Sequence, residues 1–356
     1  MQPIRVGVVG LGQIAQIMHL PYLHTMPGFK VAAVCDLSAK LVDSIGELYH
    51  VPGRYVDAQE LLAKADIDVV LICTTFDHAD IALAAIERGK HVFVEKPLCE
   101  TPALAREVAT AADRMGVHVM VAYMKRYDPG FIRWQDEIGN LQDICLVRVH
   151  DFCHNNQRII QDAYDLLTSG DVPQEVMQAA AARAEARYRE ALGEAAAPHL
   201  VAGYRVALGL GVHDMTILRG SFGDPKQILF TDIAAEGPPT TVSVLDYGRF
   251  RCVWEIGVTD TKHFDEELAV WARDAIVSLR FPSPYLKNAP SELTVIRTIG
   301  EETVTARTIT SYREAFYNEL VHFRDCIVYG HRPLTDAWEG VRDIELLLEI
   351  VHKAWR

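Results

Sequence analysis

A β-branched run at residues 4–9 passes through Gly10-Leu11-Gly12-Gln13-Ile14-Ala15 into a helical pattern over 13–24. This strand, Gly-x-Gly-x-x-Ala turn and helix constrain the fold more than any other feature. Each small residue has its own reason. Gly10 permits the tight turn, Gly12 lets backbone N–H groups approach a pyrophosphate, and Ala15 lets helix and strand pack closely. Phosphates then meet a helix N-terminus, where unpaired N–H groups and the helix dipole favour negative charge. About twenty residues further on, the second strand, 31–35, ends at Asp36. A carboxylate there can accept hydrogen bonds from ribose hydroxyls and repels a 2′-phosphate. Leu37-Ser38-Ala39 supply no arginine to hold such a phosphate, and Lys40 is the nearest cation. The expected cofactor is NAD.

The pattern continues in kind. Strands at 69–73, 91–94 and 117–122 alternate with amphipathic helices, and Thr101-Pro102 reads as the start of one of them. Short connections in β-α-β order predict a doubly wound parallel sheet. Beyond Tyr123 the texture changes. Segments at 146–152, 228–234, 241–246, 250–258, 276–281 and 293–309 read as strands that mostly follow one another without helices, as in an open, mostly antiparallel or mixed sheet. Residues 174–193 form an Ala- and Arg-rich helix. Met177, Ala181, Ala184, Tyr188 and Ala191 share one face, and Arg183, Arg187, Arg189 and Glu190 lie on the other. The apolar face reads as core-facing, with a partner surface as the alternative. The chain ends in helices near 312–329 and 336–355. At 356 residues, two domains are expected, 1–122 and 123–356, with a helical insertion at about 155–205.

A net charge of −13 argues against nucleic acid as a partner, since phosphate binding needs a basic patch. No run approaches the roughly 20 apolar residues of a membrane span. The opening residues run straight into a strand without the sections of a signal peptide. Seven scattered cysteines without a C-x-x-C pair suggest reduced thiols and give no metal site. A cytoplasmic location is the expectation.

Glu95-Lys96-Pro97 follows the strand at 91–94, and open α/β sheets bind ligands beyond the carboxyl ends of their strands. Lys96 can hydrogen-bond a substrate hydroxyl and assist its deprotonation, and the Pro97 bond is a candidate for cis geometry. Together with the Gly10-Gly12-Ala15 loop, this tripeptide resembles the paired signatures of the glucose-fructose oxidoreductase / inositol dehydrogenase / rhizopine catabolism (Gfo/Idh/MocA) family. Further similarity lies in Cys73-Thr74-Thr75-Phe76-Asp77-His78, with Thr75 where the family carries proline, in Lys125-Arg126-Tyr127-Asp128-Pro129, and in His331-Arg332-Pro333-Leu334-Thr335-Asp336. The resemblance implies a Rossmann domain followed by an α/β domain whose open sheet forms the substrate site and joins subunits into homodimers or homotetramers. It implies cofactor contacts from Gly10, Gly12, Gln13, Ile14, Ala15 and Asp36, and from Thr74, Thr75, His78, Glu95 and Lys96.

The family's third signature, a carboxylate and a histidine one helical turn apart, corresponds to Gly209-Leu210-Gly211-Val212-His213-Asp214. His213 matches and Gly209 stands at the carboxylate position. Asp214 is a poor substitute, since adjacent helix residues point about 100° apart. The resemblance implies that His213 takes or relays the substrate proton while Lys96 orients the hydroxyl, with Arg126 and His154 as further substrate contacts. Along 150–154, His150, Phe152 and His154 share one strand face, and Asp151 and Cys153 the other. Asn155, Asn156 and Gln157 are nearby candidates for substrate hydroxyls. Two histidines four apart on a strand lie ~13 Å apart along it, which excludes a shared zinc. Three functions remain open: NAD-dependent hydride transfer on a sugar, polyol or related cyclic compound, a non-catalytic NAD-binding sensor or assembly protein, and a cycle that regenerates tightly bound NAD.

Overall fold

The first strand, β1 (Ile4–Val9), is buried along nearly its whole length. It leads through a π-helical turn, Ala15–His19, into α1 (Leu20–Thr25), then β2 (Phe29–Cys35) and α2 (Ala39–Leu48). There follow β3 (Gly53–Tyr55), α3 (Ala58–Lys64), β4 (Val69–Ile72), α4 (His78–Ile86), β5 (His91–Val94), α5 (Pro102–Met115) and β6 (Val119–Val121). All six strands form one parallel sheet in the order β3-β2-β1-β4-β5-β6. Its continuous apolar strands fit the rule that parallel sheets are covered on both faces: every residue of Val69–Ile72 is buried. Side chains fix the helix starts. Ser38 Oγ accepts from Leu41 N at 3.1 Å, and Thr101 Oγ1 accepts from Leu104 N at 3.2 Å.

The chain continues through α6 (Pro129–Gly139), β7 (Ile144–His154), α7 (Gln157–Ala163), α8 (Gln174–Leu192), α9 (Pro198–Val206), a π-helical turn at Ala207–Gly211 and α10 (Val212–Phe222). Seven strands then run in succession: β8 (Gln227–Ile233), β9 (Thr240–Asp246), β10 (Arg251–Thr259), β11 (Asp265–Ala272), β12 (Ala275–Phe281), β13 (Glu292–Ile299) and β14 (Glu302–Ile309). Helices α11 (Ala315–Tyr329) and α12 (Ala337–Ala354) close the chain. The second sheet has the order β14-β13-β12-β11-β7-β10-β9-β8 and is antiparallel except where β7 pairs with β10. The α/β class with a parallel and a mostly antiparallel sheet is therefore as expected.

This computed structural model describes residues 2–154 and 156–354, apart from the side chain of His154. It divides into two units. The first comprises Met1–Ala122, Tyr164–Ala191 and Glu319–Ile344, and the second Tyr123–Ala163, Leu192–Asn318 and Glu345–Arg356. Most of the helical insertion thus groups with the parallel sheet. Among the described residues no helix is long and apolar enough to cross a membrane.

Three local expectations change. The strand β11, which opens on Asp265, Glu266 and Glu267, was not among the expected strands. The run 293–309 is two strands, separated by a turn at Gly300 with φ +64°. The face of α8 is also rotated. Ala180 and Ala184 are buried, whereas Met177 is 42% exposed and Ala181 is exposed as well. Alanines bury little area, so the charged side sets the orientation: Arg183 Nη2 lies 2.6 Å from Asp77 Oδ2, and Arg187 Nη2 lies 2.7 Å from Asp80 Oδ2.

Candidate functional site

In the first unit the glycine loop sits at the carboxyl end of β1. Gly10 has φ +90°, and a Cβ there would fall 2.6 Å from the Cys73 carbonyl carbon and from Thr74 N. Only glycine fits that approach. A Cβ on Gly12 would meet nothing within 4 Å, so the loop presents bare backbone to an open side. Ala15 is fully buried, as close helix–strand packing requires. Asp36 reaches back to the loop: Leu11 N donates to its Oδ2 at 2.8 Å, and Ser38 N to its Oδ1 at 2.9 Å. An open glycine backbone, a helix beginning behind it and a carboxylate at the end of β2 fit the diphosphate and ribose of a dinucleotide.

Two neighbouring loops complete this end of the sheet. Thr74 Oγ1 donates to Phe76 O at 2.7 Å. The imidazole of His78 lies between Thr74 O at 2.6 Å and Pro97 O at 2.7 Å, tying the loop after β4 to the loop after β5. The Lys96–Pro97 peptide is cis. Lys96 is half-buried and its backbone N–H donates to Glu95 Oε2 at 3.3 Å. Beneath it, Glu95 Oε1 lies 2.7 Å from Nε2 of the fully buried His19. Burial alone would raise the Glu95 pKa. The His19 hydrogen bond and the fields of His19, Lys96 and His78 outweigh it and hold the carboxyl below its ordinary value. Glu319, fully buried and close enough to feel Glu95, is pushed well above the ordinary range by burial and then by that charge. Sequence reading missed His19 and Glu319. Neither belongs to a motif, and only the folded chain brings them to Glu95.

In the second unit His213 lies in the first turn of α10 and is buried. Gly209 belongs to the preceding π-helical turn, is exposed, and a Cβ there would meet nothing within 4 Å. Asp214 points into the unit and accepts from Trp254 Nε1 at 2.8 Å. It joins a buried group that the sequence did not reveal. The carboxylate oxygens of Asp151, Asp214 and Glu266 lie within 4.8 Å of one another. Lys125 Nζ is in close contact with Glu266 Oε1 and lies 3.8 Å from Asp151 Oδ2. The spacing of the three carboxylates would suit a cation, and the Lys125 ammonium brings positive charge to them. Burial, followed by the Glu266 charge, pushes the Asp214 pKa up to about 8. Burial also raises Glu266, while Lys125 is raised because its three acidic neighbours outweigh desolvation.

The other named side chains scatter. Arg126 is buried and its Nη1 donates to Thr216 O at 3.1 Å, bracing α10. His150 Nε2 lies 3.3 Å from Asp265 Oδ1, and Asn156 Nδ2 donates to Cys153 Sγ at 3.3 Å. The His154 side chain and Asn155 lie outside the described residues.

Residues 4–123 match the oxidoreductase family with an NAD-binding Rossmann fold, Gfo/Idh/MocA. An inositol 2-dehydrogenase of Salmonella paratyphi B is 33% identical over 140 residues, which are 38% of this chain and 42% of the relative. The D-glucoside 3-dehydrogenase of Escherichia coli is 35% identical over 139 residues, 39% of this chain and 40% of the relative. These matches therefore span less than half the length of either relative. The crystal structure of KijD10, a 3-ketoreductase from Actinomadura kijaniata in complex with NADP, shares the fold over 99% of this chain and 98% of its own, with TM-score 0.75 and 16% identity. Through residues 4–123 the protein is similar to the NAD-binding Rossmann part of the Gfo/Idh/MocA oxidoreductase family.

Proposed function

We propose that the protein is an NAD-dependent oxidoreductase that moves hydride between nicotinamide and a hydroxyl or carbonyl of a sugar, polyol or related cyclic compound. The observation that carries this reading is Lys96. It stands half-buried at the carboxyl end of β5, beside the glycine loop's end of the sheet. The inositol and glucoside dehydrogenases among its relatives support the substrate class. The bound nicotinamide would supply the hydride acceptor or donor. Lys96 orients the reacting hydroxyl by hydrogen bonding, and Glu95 fixes the backbone from which Lys96 projects. His213 takes or relays the hydroxyl proton. Gly10, Gly12, Gln13, Ile14 and Ala15 hold the diphosphate. Asp36 takes the ribose hydroxyls and, being anionic beside them, favours NAD over NADP. Thr74, Thr75 and His78 line the nicotinamide half. Subunits pair through the second sheet as a homodimer or homotetramer in the cytoplasm.

The test is NADH formation from NAD across inositols, sugars, sugar acids and cyclic diols. Turnover on at least one polyol supports the assignment. NAD binding with no turnover on any member favours the second reading, a non-catalytic NAD-binding sensor or assembly protein. The observation behind that alternative is Gly209, which puts an exposed, side-chain-free backbone where the family resemblance implies a carboxylate.

A further inference from the structure

The segment between α7 and α8 crosses the cofactor loops of its own unit. Gln16, in the helix behind the glycine loop, grips the backbone of Leu167 from both sides. Its Nε2 donates to Leu167 O at 2.9 Å, and Leu167 N donates to its Oε1 at 3.0 Å. The same Nε2 also donates to Leu11 O at 2.8 Å, inside the loop. Four residues later, a reach of at most about 13 Å, Asp171 docks at the start of α2. Ser38 Oγ donates to Asp171 Oδ1 in a close contact, and Lys40 N donates to Asp171 Oδ2 at 3.1 Å. Beyond the segment, α8 is fastened to the first turn of α4 by Arg183–Asp77 and Arg187–Asp80. The crossing is therefore anchored on both sides of the loops it spans.

The docking position has chemical meaning. Ser38 and Lys40 follow Asp36, the residue placed for the adenosine ribose. A ribose 2′-phosphate would lie beyond Asp36, where a hydroxyl and the first free N–H groups of a ten-residue helix can receive an anion. Both donors are already engaged by a carboxylate of this chain. We propose that Asp171 is a second specificity determinant, supplied by the insertion, that occupies the 2′-phosphate position and turns NADP away. Asp36 repels the phosphate from the ribose side. Asp171 removes the donors that would compensate for that repulsion, and adds a second negative charge. A short polar contact from a distant segment thus does what an altered residue near Asp36 would otherwise do.

This inference rests on the proposed NAD-dependent reading. The experiment measures NAD and NADP dissociation constants by calorimetry for the full chain, for Asp171→Ala, and for Asp171→Asn, which keeps the side-chain shape without its charge. The expected result is a wild type that prefers NAD, with a preference at least tenfold smaller in Asp171→Ala and an intermediate value in Asp171→Asn. A wild-type preference for NAD that both variants retain unchanged overturns the role of Asp171 and leaves the NAD reading standing. Wild-type protein that binds neither dinucleotide, or binds NADP more tightly, overturns the NAD reading and this inference with it.

Discussion

His19 Nε2 and Glu95 Oε1 lie 2.7 Å apart in the buried floor below Lys96. The contact joins the helix behind the glycine loop to the tripeptide that carries the proposed reacting lysine. It also makes Glu95 the charged member of a buried carboxyl pair whose other member, Glu319, is pushed toward the neutral form.

That division has a pH signature. The lowered pKa of Glu95 contributes stability at neutral pH that is lost only as pH falls below the ordinary carboxylate value. Glu319 has the opposite sign. Its raised pKa costs stability increasingly as pH rises above that value. Glu319→Gln should therefore raise the melting temperature at pH 8 by about 2 °C or more, as expected for a gain near 1 kcal/mol, and change it less at pH 5. Thermal unfolding at the two pH values checks this.

The acidic group around Lys125 should be more fragile. Removing the Lys125 ammonium leaves Asp151, Asp214 and Glu266 facing one another in a buried site. Lys125→Met should cost about 3–5 kcal/mol. Because burial pushes the Asp214 pKa up to about 8, wild-type stability should decline as pH rises from about 4 to about 8 and level off above that, and Asp214→Asn should flatten the decline. Urea denaturation across this range measures both effects.

The two loop glycines should separate folding from binding. Gly10→Ala forces a side chain into backbone 2.6 Å away at a positive φ, and should destabilise the protein by about 1–3 kcal/mol. Gly12→Ala meets open space, so its melting temperature should stay close to wild type. Its methyl group would stand where diphosphate approaches, and NAD affinity should fall at least tenfold. Calorimetry paired with thermal unfolding distinguishes the two variants.

Except for the short edge strand β3, the parallel sheet was legible because its signals are local: buried β-branched runs, a glycine turn, and Ser38 and Thr101 at helix starts. The second sheet was legible except at β11, where three consecutive acidic residues mask the alternation and one of them, Glu266, is in fact buried. Within the candidate site, Gly10, Asp36 and Lys96 announce themselves through their place after strands. His19, Glu319 and the Lys125 group do not, since each contact joins residues far apart in the chain. The docking of Asp171 on Ser38 was invisible for the same reason. The α8 face was misjudged because apolar periodicity says little when the apolar residues are mostly alanine and ion pairs set the rotation.

The central claim is that Lys96 works on substrate rather than on the fold. The direct measurement compares wild type with Lys96→Ala in NADH formation from the best polyol of the panel, with NAD affinity followed by calorimetry. A fall in turnover of about 10²–10⁴-fold with NAD affinity retained is the predicted result. Full turnover in the variant would contradict the role assigned to Lys96.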